Sequence, residues 1–287
     1  MAVESNAEGV PFDDPDALSD EERAALEALL FALADDELVL AERYTEWQVR
    51  APTLESDLAL ANIAQDELGH ARLWYDLLED LGYTESWLLF DRDSDEFRHS
   101  TLSEQPFPSG DWADAIVRGL FYDEAEALRL EALEGSAHPR IAGRVGKIQQ
   151  EERYHREHAK NWIERLVEDD EGRERVQAAV DRLFPYALTL FVPTDHEESI
   201  VELGLRTESL DDLREEWLDR VVPYLGSLGI DAPINRSGEV TAELPENVGR
   251  DGSHGPEWAE LHDDMTRSYR ALGRDYTHQI MPKPDDE

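Results

Sequence analysis

Two Glu-x-x-His pairs, each set into an otherwise apolar helical stripe, restrict the folds open to this chain more than any other feature. In residues 57–81, Leu60, Ile63, Glu67, His70, Trp74 and Leu77 follow one another at steps of three and four, so one helix face carries all six. Residues 140–166 repeat the pattern with Ile141, Val145, Ile148, Glu152, His155, Ala159, Trp162 and Leu166. The offset is 85 for both members of the pair (152 less 67, 155 less 70). A carboxylate aimed into a core must be neutralised, paired or bound to a metal. A spacing of three lets a carboxylate oxygen and an imidazole nitrogen reach one cation, so the pattern favours metal. A third match, Glu96 with His99 in DRDSDEFRHS, has no apolar stripe around it and reads as a chance pairing, silent to substitution.

The other helices supply two more inward acids. Ser19 and Glu22 form a capping box that opens a first helix, whose buried stripe of Leu26, Leu29, Leu30, Leu33, Glu37, Leu40 and Tyr44 is interrupted by Glu37. This helix should end near Trp47; Thr53 then caps the second helix and Gly82 ends it. Residues 83–110 read as a long crossover with short helical turns. A third helix, from about Asp111 to Glu134, offers Asp123, Glu124 and Glu126 as competing inward carboxylates. Glu37 precedes Glu67 by 30 residues (67 less 37) and Asp123 precedes Glu152 by 29 (152 less 123), which favours Asp123 in a duplicated helix pair. The acids just before each pair, Asp66 and Glu151, are rotated by about 100° and face the neighbouring helix. There they can accept the second N–H of the opposite histidine and fix its ring.

One carboxylate from each of two helices plus a Glu-x-x-His from each of two others is the ligand plan of ferritin-like dinuclear carboxylate proteins. The expected fold is therefore all-α: a ferritin-like four-helix bundle over 19–191, an acidic mobile tail over 1–18, and a C-terminal helical extension over 192–287. Helices are expected over 173–191, with a kink at Pro185, from Ser209 to Gly226, and from Glu257 to Leu272. The candidate metal ligands are Glu37, Glu67, His70, Asp123, Glu152 and His155, with Asp66 and Glu151 behind them.

Composition narrows the chemistry. The chain has no cysteine, which excludes iron–sulfur and thiolate sites and leaves carboxylate and imidazole ligands, a set suited to iron or manganese. The net charge of -40 argues against nucleic acid or an anionic membrane as partner. Only Lys147, Lys160 and Lys283 among the 27 basic residues are lysine, and so acidic a chain points to a salt-rich, halophilic setting that screens self-repulsion. No apolar run approaches the ~20 residues of a membrane span and the N-terminus lacks a signal-peptide pattern, so the expected location is cytoplasmic.

The stretches LADDELVLAERYTEW, RAPTLESDLALANIAQDELGHAR, DWADAIVRGLFYD and EERYHREHAKNWIERL resemble the ferritin-like subunits of bacterial phenylacetyl-CoA 1,2-epoxidase, a multicomponent ring-activating oxygenase. LALANIAQDELGHAR, the EQP of Glu104 to Pro106 and DWADAIVR resemble its C-type subunit, the structural partner of the catalytic A-type subunit. C-type subunits resemble the A-type with the metal ligands worn away, whereas Glu37, Glu67, His70, Asp123, Glu152 and His155 match the A-type pattern. The resemblance thus leaves two readings: an active di-iron site, or metal kept only to hold the fold. It implies two iron ions, O₂ and phenylacetyl-CoA as substrates, and an A-type partner. An external reductase must supply electrons, because the chain has neither cluster cysteines nor a dinucleotide fingerprint. A manganese catalase, which would evolve O₂ from peroxide without a reductase, and an iron-storage protein, which would end soon after the fourth helix, are the alternatives.

Overall fold

The computed structural model describes residue 12, residues 14–106 and residues 110–273. Four long helices carry the architecture: α1 (Asp20–Gln48), α2 (Leu54–Asp80), α3 (Trp112–Leu133) and α4 (Pro139–Leu166). Each starts where a side chain can satisfy free N–H groups of the first turn. Ser19 and Glu22 form a reciprocal capping box on α1, Thr53 caps α2, Asp111 and Asp114 form a box on α3, and the His138 ring accepts from Ile141 N on α4. Gly82, at φ 98°, supplies the left-handed turn that ends α2.

The short connections 49–53 and 134–138 make α1/α2 and α3/α4 hairpins, and the crossover 81–111 joins them, giving the all-α ferritin-like bundle. The described residues of the crossover include a π turn (Trp87–Asp91) and a 3-10 turn (Ser94–Glu96). Beyond the bundle follow α5 (Asp170–Ala187), which passes through Pro185 and tightens into a 3-10 turn over Leu188–Phe191, then α6 (Glu197–Glu202), α7 (Leu210–Ser227) and α8 (Pro256–Leu272). These are no separate layer. Trp217 of α7 is buried against Phe121 and Phe184 and donates its indole N–H to Phe121 O at 3.0 Å, while Trp258 of α8 packs on Phe97 of the crossover.

The expected N-terminal tail lies mostly outside the described residues. Its described part is docked: Phe12 is buried in the core that includes Leu26 and Leu77, stacks on His138, and is followed by a 3-10 turn over Pro15–Ala17. A single aromatic ring that finds an apolar seat suffices to hold such a stretch.

Two apolar clusters fill the bundle, and the position of the break between them matters. On α2 one cluster ends at Ala64 and the other begins at Ala71; on α4 the break falls between Ile148 and Ala159; on α1 it falls between Val39 and Leu40. The gap on α2 holds Glu67 and His70, and that on α4 holds Glu152 and His155. An ionisable layer therefore crosses the bundle between two dry cores.

Candidate metal centre

Glu37, Glu67, His70, Asp123, Glu152 and His155 are all buried, one or two from each of the four bundle helices. His70 Nδ1 lies 3.5 Å from Glu67 Oε2, 3.4 Å from Glu152 Oε1 and 3.9 Å from Glu37 Oε2. His155 Nδ1 lies 3.4 Å from Glu67 Oε1 and 3.1 Å from Glu152 Oε1. Glu67 and Glu152 therefore stand between the two imidazoles. Glu37, Glu67 and His70 form one group able to surround a cation, and Glu67, Glu152 and His155 form a second that shares Glu67.

Both rings turn Nδ1 inward and Nε2 outward, and each outer nitrogen meets an acid on the opposite helix. His70 Nε2 is 2.9 Å from Glu151 Oε2, and His155 Nε2 is 3.3 Å from Asp66 Oδ2. The outer nitrogens donate to these carboxylates, which fixes both tautomers with a lone pair on each Nδ1 when the rings are neutral.

Three acids on α3, all buried, compete for the centre. Glu124 pairs with Lys160 at 2.6 Å, and Glu126 pairs with Arg129 one turn along, although neither Glu126 oxygen makes a hydrogen bond among the described residues. Asp123 Oδ1 has no hydrogen-bond partner among the described residues. Asp123 reaches the centre electrostatically, through Glu152, His155 and Glu67, without joining either close three-residue group.

The inward atoms are left over by the protein. Both oxygens of Glu37, Glu67 and Glu152 and the Nδ1 atoms of His70 and His155 have no hydrogen-bond partner among the described residues. Orphans of this kind cost free energy unless something else satisfies them. Burial, then the negative charge of Glu67, pushes the Glu37 carboxyl well above the carboxylate range, and burial with Glu152 does the same to Asp123. Burial opposes Glu67 as well, but the neighbouring Glu37 carboxyl and the His155 and His70 imidazoles outweigh it and hold Glu67 low. His70, despite burial, is raised to about 10 by Glu151 and Glu67. A metal-free centre thus keeps itself intact by holding protons where cations would otherwise sit. The donor set, hard oxygens with two imidazoles, suits iron or manganese.

Two buried acids that the periodicity argument passed over lie beside Glu37. Asp35 pairs with Arg92 at 3.0 Å and accepts from Arg98 N at 2.7 Å; Asp36 accepts from Arg129, Arg250 and Ser100 N at 2.6, 2.6 and 2.7 Å. Burial pushes Asp36 up, but Arg250 and Arg129 more than offset this and hold it at about 2. The pair pins the crossover and the C-terminal segment to α1. The signal was present: successive helix residues are 100° apart, so Asp35, Asp36 and Glu37, between Ala34 and Leu38, cannot all face solvent.

Glu96 and His99 correct the expectation of a silent chance pairing. Glu96 is exposed and caps the Ser94–Glu96 turn, accepting from Asp93 N at 2.7 Å, so the two residues do not form a ligand pair. His99, however, is fully buried. Its Nε2 donates to Glu104 Oε2 at 2.9 Å, and its ring stacks on His254, whose Nδ1 is 2.8 Å from the same oxygen. Glu104 also accepts from Gly255 N at 2.8 Å. His254 comes from over 150 residues away (254 less 99), so no local stripe announced the cluster.

A family model described as "Phenylacetic acid catabolic protein" matches residues 3–275. The chain belongs to this family. The C subunit of 1,2-phenylacetyl-CoA epoxidase from Escherichia coli (strain K12) is 33% identical over 211 residues, covering 72% of this chain and 84% of that relative. The A subunit of the same epoxidase is 27% identical over 192 residues, covering 65% of this chain and 62% of that relative. The phenylacetic acid catabolic family thus accounts for nearly the whole chain, C-terminal helices included. No helix among the described residues is long and apolar enough to cross a membrane.

Proposed function

We propose that this chain is a ferritin-like component of a multicomponent phenylacetyl-CoA ring 1,2-epoxidase and that its own centre holds two iron ions, manganese being the other metal its donors suit. The observation that carries this reading is the convergence of six buried side chains from four helices whose inward atoms lack protein partners. Glu37 and His70 would serve one ion, Asp123 and His155 the other, with Glu67 and Glu152 between them. A bound iron pair would supply reductive activation of O₂, one atom of which enters the aromatic ring of phenylacetyl-CoA. The protein's own contribution is positional. Asp66 and Glu151 aim the two Nδ1 lone pairs inward, Asp36 and its arginines anchor α1 beside Glu37, and the apolar clusters on either side exclude water. The expected partners are an A-type subunit and a reductase.

A second reading has one observation in its favour: identity is higher to the C-type relative than to the A-type one. The chain would then be a scaffold whose centre holds metal for stability. Single turnover separates the two. The iron-loaded complex with its A-type partner receives O₂ and phenylacetyl-CoA, with either wild-type chain or Glu37→Ala. Loss of oxygenated product in the variant supports chemistry in this chain; unchanged product makes it a scaffold.

A further inference from the structure

Asp66 and Glu151, the acids that hold the two imidazoles, also line an open groove of about 620 Å³ between the outer faces of α2 and α4, together with Asn62, Gln65, Lys147 and Tyr154. The groove is therefore one hydrogen bond from His70 and one from His155. Its surroundings are unusual for so acidic a chain. Leu54 and Leu58 lead toward Gln65 along the exposed stripe of α2, 67% and 56% exposed, and Tyr154 on α4 is 47% exposed. Lys147 offsets one of the two acids, so the lining is close to neutral in a protein of net charge -40.

Two mid-helix glycines add to the picture. Gly69 lies one turn from Gln65, and Gly143 one turn from Lys147; a Cβ at either would meet nothing within 4 Å. Glycine weakens a helix, and no contact among the described residues requires it at either position. Bare backbone beside exposed apolar side chains suits close approach by another protein.

We propose that this groove and its apolar rim dock the electron-carrier protein, a flavin or iron–sulfur protein; the inference rests on the metal-centre reading above. The chain has no cysteine and no dinucleotide motif, so electrons must arrive from outside. Two electrons from the carrier and two protons from water reduce one atom of O₂ to water while the other enters the substrate. The carrier meets the chain where a single hydrogen bond separates each buried imidazole from an acid lining the groove, and where a near-neutral apolar patch lets it approach an otherwise repelling surface.

The test is binding of the cognate reductase to the assembled complex, using Leu58→Glu with Tyr154→Glu. The expected result is a rise in Kd of at least about tenfold, as for loss of central apolar contacts, and an equal slowing of reductase-driven reduction. Reduction by dithionite, metal content and A-type association should be unchanged. An unchanged Kd overturns the proposal, and so does loss of A-type association, which would make the face an interface with that partner. Should the double variant fail to fold, Gln65→Cys carrying a bulky maleimide, the sole thiol in the chain, must block the reductase in the same way. Metal analysis of the wild type separately decides the metal-centre reading, and the Kd decides the face whatever its outcome.

Discussion

His70 on α2 and Glu151 on α4 face each other at 2.9 Å, and the same relation runs the other way between His155 on α4 and Asp66 on α2 at 3.3 Å. Each Glu-x-x-His helix thus orients the histidine of the other. The acid that does so stands immediately before its own helix's buried glutamate, so the orienting group and the inward carboxylate come from one turn of helix.

Removing these acids should loosen the centre without emptying the core. Asp66→Asn with Glu151→Gln keeps the shapes and leaves a weaker, ambiguous acceptor for each Nε2–H. The expected loss of metal affinity is about 10- to 100-fold, read by competition with a chelator, and the metal-free protein should also melt lower at neutral pH, because the substitution removes the Glu151 charge that supports the protonated His70.

The metal-free protein should lose stability on the alkaline side. His70 is raised to about 10 by Glu151 and Glu67, so its contribution is fully present below pH 6.5 and is lost as the pH rises toward 10. The protons held on Glu37 and Asp123 act in the same direction, because both carboxyls are raised. Thermal melts of chelator-treated protein between pH 6.5 and 10 should show a falling melting temperature. Metal uptake at neutral pH should release protons, measurable with an indicator dye.

His99 should prove structural rather than silent. His99→Ala removes a buried ring and one of three donors to Glu104, an expected cost of roughly 2–4 kcal/mol, read from urea unfolding. Glu96→Ala should cost only about 1 kcal/mol, the loss of a cap. Burial, with the neighbouring His254, holds His99 down to about 4, so its contribution is complete above pH 6.5 and is lost as the pH falls toward 4. Glu104, where hydrogen bonds from His254 and His99 outweigh burial, sits at about 2; its share is present above pH 4.5 and lost as the pH falls through 2. The wild type should weaken on acidification from pH 6.5, and His99→Ala should show a shallower decline.

The helices and their inward residues were legible because helical periodicity is local: Glu37, Glu67 and Glu152 interrupt stripes that span several turns, and Ser19, Thr53 and Ser209 cap the helices expected to follow them. The choice of Asp123 over Glu124 and Glu126 rested on spacing alone, and the structure adds that Lys160 pairs with Glu124 and Arg129 with Glu126. Neither partner can be inferred from an ambiguous stripe. What stayed hidden depends on distant pairing. Asp36 meets Arg250, and Glu104 meets His254, across most of the chain's length; α6 is a single short helix with only Ile200 buried.

The central claim is tested most directly by metal stoichiometry. Wild-type chain loaded anaerobically with ferrous iron, desalted and analysed by mass spectrometry should retain two iron ions per chain, and Glu67→Ala with His155→Ala should retain none while still folding as a helical protein. Full iron content in the double variant would place the metal elsewhere, and a wild type that holds none would contradict the account.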